Sequence, residues 1–296
     1  MRRFVSSGLL TCLLLASILL RTTAAHAWGL VGHRYVNGLA VDSLPAELKP
    51  LFAANRDWIV EHSVDPDKWR ERNKAEGPKH FIDLDTWGLE AAARFPQDYW
   101  VACGIYGKDE VDRNGTVPWR IGQYYGKLIH AFKARDGRAI VEIATWLGHY
   151  VGDVHVPFHA VANYDGQLSG QTGIHSRFEA DLAGRDLPTL TLTPAPAQPI
   201  GDPRDYMFDV LLDSFPSADR ILKADALAVQ GRDVYDDEYF RILDRETRPI
   251  LERQLSRAIT GVASMIYGAW DAAGRPELPV DPPRELKRVR QATAKP

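Results

Sequence analysis

Arg138-Ala-Ile-Val-Glu-Ile-Ala-Thr-Trp-Leu-Gly-His149-Tyr-Val-Gly-Asp153-Val154 is the stretch on which the fold turns. Ile140, Val141, Ile143, Ala144, Leu147 and Val151 recur at steps of three and four, the period of a helix with buried faces. The same helix carries His149 and Asp153 at i, i+4, so an imidazole and a carboxylate share one face, one turn apart. Pro157 ends the run.

Helical periodicity continues on both sides. Upstream, 30–44, 45–54 and 58–63 read as helices, the second with Ser43 as a plausible N-cap, and 121–134 as another. The segment 86–118 holds Trp87, Trp100, Gly104, Gly107 and Asn114-Gly115 and is expected to be a long loop. Downstream, 163–173 is polar and Gly-bearing, a loop, and 175–182 a short helix. Residues 187–204 hold five prolines and read as an extended surface insertion. Residues 218–230 and 237–273 are helical, with Pro249 expected to kink or divide the latter. No long run alternates at period two and no repeat is visible. The fold class is all-α, in a single domain with long loops.

Composition agrees. The chain has 296 residues, 45% hydrophobic and 25% charged, with formal net charge -3. That excludes intrinsic disorder and fibrous structure, and it supplies no overall basic field for nucleic acid. Two cysteines exclude a disulfide framework. Met1-Arg-Arg, the apolar run from Phe4 to Leu20 and the ending Ala25-His-Ala27 have the form of a secretory signal peptide over residues 1–27. A membrane anchor is the competing reading, at the lower limit of spanning length. Residues 1–27 carry three arginines and no acid, so their removal takes the net charge from -3 to -6. The functional domain is then 28–280, and 281–296 is a basic tail expected to lack fixed structure. The mature protein is expected to be secreted or periplasmic and to start at Trp28.

Chemistry concentrates in a few histidines. After His149 and Asp153 come His155 and His159, then His175-Ser-Arg-Phe-Glu179, a second His/carboxylate pair at i, i+4. His80 stands in Lys-His-Phe-Ile-Asp83, and Asp65-Pro-Asp67 precedes Arg70. Imidazole with carboxylate and no thiolate suits Zn²⁺ in a hydrolytic site. Two such pairs on separate helices point to more than one ion. His62, His130 and His155 have no partner at ligand spacing and read as ordinary histidines.

Trp28-Gly-Leu-Val-Gly-His33, Lys79-His80-Phe-Ile-Asp83, His149-x3-Asp153-x5-His159 and His175-x3-Glu179 together resemble the superfamily of zinc-dependent phospholipases C and single-strand-specific nucleases. The likeness covers residues 28–179. It implies three zinc ions: one held by the free amine and carbonyl of Trp28 with His33, a second by Asp67, His80, His149 and a bridging Asp153, a third by His159, His175 and Glu179. Asp67 stands at the Asp-x-x-Arg distance from Arg70; Asp65 has the more typical distance to His80, so both stay open, with Asp67 first. The resemblance also implies phosphoester hydrolysis with Asp67 steering or accepting the water proton. Arg70 is expected to form a structural ion pair, with phosphate binding as the alternative.

Glu179, Asn163-Tyr164 and the lack of disulfides resemble the phospholipase branch, which is taken as the first reading, with transient contact to a membrane surface. The five-residue step from Trp28 to His33 resembles the nuclease branch, whose substrate is single-stranded nucleic acid or a 3'-nucleotide. Trp87, Trp100, Tyr106 and Trp119 suit base stacking or a lipid interface, though packing is the plainer role. A non-catalytic periplasmic metal- or haem-binding helical protein is the reading from another class. Nothing in the sequence calls for an obligate protein partner.

Overall fold

A computed structural model describes residues 29–279 and Arg284. Among these residues every regular element is a helix. The main ones are α1 (Gly29–Ser43), α2 (Arg56–His62), α3 (Asp65–Arg72), α4 (Val117–Ala134), α5 (Gly137–Val154), α6 (Pro203–Ala228) and α7 (Asp237–Ala272).

The stretch quoted first is α5, the centre of the molecule. Asp136 caps its start, its side chain accepting from the Ala139 amide at 2.9 Å. Helices α1, α4 and α7 pack around it, burying Ile140, Val141, Leu147, Val151 and Val154. Each large side chain so buried contributes about 1.5–3 kcal/mol, which offsets the cost of drawing His149 and Asp153 into the same interior. Gly148 permits the closest approach: a Cβ there would lie 2.1 Å from Asn37 Oδ1 on α1 and 3.1 Å from Val262 on α7. That contact brings α1 onto the turn carrying His149.

Three expected elements differ. The segment 86–118 is largely helical rather than a long loop, with helices Tyr99–Tyr106 and Lys108–Arg113. Asp98 caps the first, accepting from the Trp100 and Val101 amides, and Gly107 ends it at φ 88°. Of the glycines that suggested a loop, Gly107 and Gly115 are terminators between short helices, while Gly104 lies inside the first of them. Helix α7 runs unbroken through Pro249, and α6 begins well before 218, capped by Asp202 and with Pro216 inside it.

The proline-rich insertion is a strap laid along α7. The amides of Thr191, Thr193, Ala195 and Gln198 donate to Glu252 Oε1 (2.8 Å), Ser256 Oγ (2.9 Å), Thr260 Oγ1 (2.9 Å) and Ser264 Oγ (3.1 Å). Four residues of helix rise about 6 Å, the length of about two residues of extended chain, so Thr191, Thr193 and Ala195 keep step with Glu252, Ser256 and Thr260, and a third residue enters only on the last step, to Gln198. At the end of the ladder Gly268 lets the strap touch the helix: a Cβ there would meet Ile200 O at 2.3 Å. Of the basic tail only Arg284 is described. Its guanidinium lies 3.6 Å from the centre of the Trp58 ring and pairs with Glu142 at 3.1 Å.

Candidate metal centre

His33, Asp67, His80, His149, Asp153, His159, His175 and Glu179 are all buried. Trp28 lies outside the described residues. The eight form three groups whose donor atoms converge: His33, Asp67 and His149; His80, His149 and Asp153; His159, His175 and Glu179.

The first two groups are one continuous cluster. The His33 and His149 rings stack with centroids 3.9 Å apart, across the approach that Gly148 allows. Asp153 Oδ1 lies 3.3 Å from His33 Nε2, while Oδ2 lies 2.9 Å from His80 Nδ1 and 3.4 Å from His149 Nε2. Asp67 Oδ1 is 3.8 Å from His149 Nε2 and 3.9 Å from His80 Nδ1. Of the two aspartates left open, Asp67 enters the cluster. Asp65 faces outward from the first turn of α3, bonded to His62 Nδ1 (2.6 Å) and Lys68 (3.0 Å). Arg70 forms an ion pair with Asp67, 3.4 Å apart.

In the third group His175 Nε2 is 3.0 Å and His159 Nε2 4.0 Å from Glu179 Oε2. The short helix expected over 175–182 contains a π-helical turn, Arg177–Leu182, a rare geometry often found at functional sites. Tyr164 stands at the rim, half-exposed, its ring centre 6.3 Å from that of His175.

Backbone carbonyls orient the imidazoles. His149 Nδ1 contacts Ser63 O at 2.8 Å and His159 Nδ1 contacts His80 O at 2.6 Å. A carbonyl only accepts, so each Nδ1 carries the hydrogen, and in the neutral ring Nε2 is left with a bare lone pair. Burial keeps the rings neutral: it lowers His80 to about 3 and holds His149 and His159 well below the ordinary histidine range. The Ile82 amide returns a bond to His159 O at 2.9 Å, so the His80 and His159 segments clasp each other.

The donor set fits divalent zinc. Neutral imidazoles and carboxylates converge in a dry interior, and Asp153 Oδ1 is fully buried without a hydrogen-bond partner. Burial, then the charge of Asp67, pushes the Asp153 carboxyl well above the carboxylate range. A cation relieves that cost.

The groups that support the cluster leave little local trace in the sequence. Glu76 is buried between Tyr150, Arg120 and Lys79, bracing the segment before His80. Tyr150 follows His149 in sequence, but Glu76 and Arg120 carried no signal, because their role depends on partners far along the chain. Of the aromatic candidates, Trp119 is buried, Trp87 packs on Phe95 and Tyr106, and Trp100 is 71% exposed.

The model of the S1/P1 nuclease family matches residues 28–181. The chain belongs to the S1/P1 nuclease family. It is thus a member of the superfamily of zinc-dependent phosphodiester hydrolases, and the matched segment takes in every candidate ligand. None of the curated proteins matches the sequence. For an S1/P1 nuclease the precedence given to phospholipid no longer stands, and neither phospholipid nor membrane contact gains support. Glu179 does not separate the two branches, because Glu and Asp offer the same carboxylate donor to a metal.

Proposed function

We propose that this chain is an exported, zinc-dependent nuclease or 3'-nucleotidase acting on single-stranded nucleic acid, with domain limits 28–280. The family match over residues 28–181 carries the reading, and the three converging donor groups support it. Three zinc ions would be held by the Trp28 amine and carbonyl with His33 and Asp153; by Asp67, His80, His149 and Asp153; and by His159, His175 and Glu179.

Bound zinc would supply Lewis acidity, making water nucleophilic near neutral pH and offsetting charge on the phosphoryl oxygens. The chain's own groups do the rest. Ser63 O and His80 O hold the His149 and His159 rings with Nε2 turned inward. Asp67 takes the proton of the attacking water at its carboxylate, and Arg70 steadies that carboxylate. Burial of the cluster excludes bulk water from the other ligands. The Trp28 amine, with an ordinary pKa of about 8, deprotonates at little cost near neutral pH, and only cleavage of residues 1–27 exposes it.

The test is a substrate comparison with the mature protein: single-stranded DNA and RNA against phosphatidylcholine, with and without chelator. Hydrolysis of nucleic acid that chelator abolishes and zinc restores is expected. Clear preference for phosphatidylcholine would reinstate the lipase reading. Near-stoichiometric zinc with no phosphoester hydrolysis would leave a binding protein.

A further inference from the structure

The π-helical turn that carries Glu179 opens on a buried cation. Arg177 stands between the two ligands in sequence and is 6% exposed. Its Nε donates to Tyr239 Oη at 2.9 Å, Nη1 to Thr172 O at 3.0 Å, and Nη2 to Gln171 O and Asp225 Oδ1, both at 3.1 Å. Asp225 is itself bound by the Tyr239 hydroxyl and, at 2.8 Å, by Gln171 Nε2. The Tyr235 ring covers the guanidinium at 4.0 Å.

These partners come from two directions. Gln171 and Thr172 precede His175, so the guanidinium reaches back over that ligand while its own backbone leads to Glu179. Asp225 lies on α6 and Tyr239 on α7, both beyond the segment that matches the family. A π turn is a rare backbone state that surrounding contacts must select. This one brings His175 Nε2 within 3.0 Å of Glu179 Oε2. Arg supplies a planar fork of donors that satisfies diverging acceptors at once, which the point charge of Lys does not.

We propose that Arg177, fixed by Asp225 and Tyr239, is a positioning residue for the His159/His175/Glu179 zinc group. The C-terminal helices thereby set the affinity of one metal site out of three. The inference rests on the zinc assignment proposed above.

Chelator titration of the zinc-loaded mature protein, followed by zinc count and mass, tests it, with His175→Ala marking the step that belongs to this group. Arg177→Met should weaken that step by about 10- to 100-fold and leave the other zinc steps at wild-type strength. A wild-type release profile in Arg177→Met, with only the Tm lowered, overturns the proposal. If Arg177→Met does not fold, Tyr239→Phe decides, since it removes one hydroxyl and keeps the ring. A weaker His175 step supports the proposal and an unchanged profile overturns it. Failure of the underlying assignment looks different: wild-type protein would then release no zinc in a step that His175→Ala removes.

Discussion

Asp153 turns one carboxylate oxygen to His33, with Oδ1 3.3 Å from Nε2, and the other to His80 and His149. One side chain thereby joins a donor on α1 to donors on α5 and in the segment after α3. Asp153→Asn should cost kcat/KM at least about 100-fold, close to 3 kcal/mol, and reduce bound zinc by more than one ion. Activity assay and metal analysis of the same sample check it. Loss of a single ion would mean that the carboxylate does not bridge.

Asp65 and Asp67 are two residues apart and differ in surroundings. Asp67→Asn should abolish most hydrolysis. Asp65→Asn breaks only a partly exposed contact with His62 and Lys68, a kind of pair worth about 0–1 kcal/mol. Its kcat should stay within about threefold of wild type, with a slightly lower Tm. The reverse ranking would move the ligand to Asp65.

Asp83 carries a pH dependence. Burial, then the neighbouring charge of Asp85, raises its carboxyl from 3.8 to about 7, and Oδ1 has no hydrogen-bond partner. The folded state therefore binds a proton that the unfolded state has released. Stability from this group is full below pH 4, falls as pH rises towards 7 and then levels off. In chelated protein, the Tm difference between Asp83→Asn and wild type should grow in favour of the variant across that window. A constant difference would contradict the shift.

The strap depends on side-chain oxygens of α7. Ser256→Ala with Ser264→Ala leaves the Thr193 and Gln198 amides without their partners, at about 1 kcal/mol each. Hydrogen exchange at those two amides should quicken while hydrolysis stays near wild type. Unchanged exchange would show that packing alone holds the strap.

The proposed amine ligand makes the mature start critical. Adding one residue before Trp28 should lower zinc content and activity together, as measured by metal analysis and single-stranded DNA hydrolysis. A fully active, fully loaded extended protein would remove Trp28 from the site.

Most of the candidate donors were implied by the family resemblance; what the residues themselves specified is the helical class, the central helix and the His149/Asp153 and His175/Glu179 pairs. Those features are local: apolar residues at steps of three and four choose a helix, and i, i+4 spacing sets His149 beside Asp153 and His175 beside Glu179. Only the tertiary structure chose Asp67 over Asp65 for the cluster, since both occupy the same helical turn and only packing decides which one faces inward. It also recruited Ser63, Glu76, Arg120, Asp225 and Tyr239, whose partners lie tens of residues away along the chain. The strap shows the same division. Its prolines announce an extended segment, and Glu252, Ser256, Thr260 and Ser264 already stand four apart in the sequence. Their meaning appears only when the strap and the helix lie side by side, because the strap amides and the α7 side-chain oxygens are partners to each other.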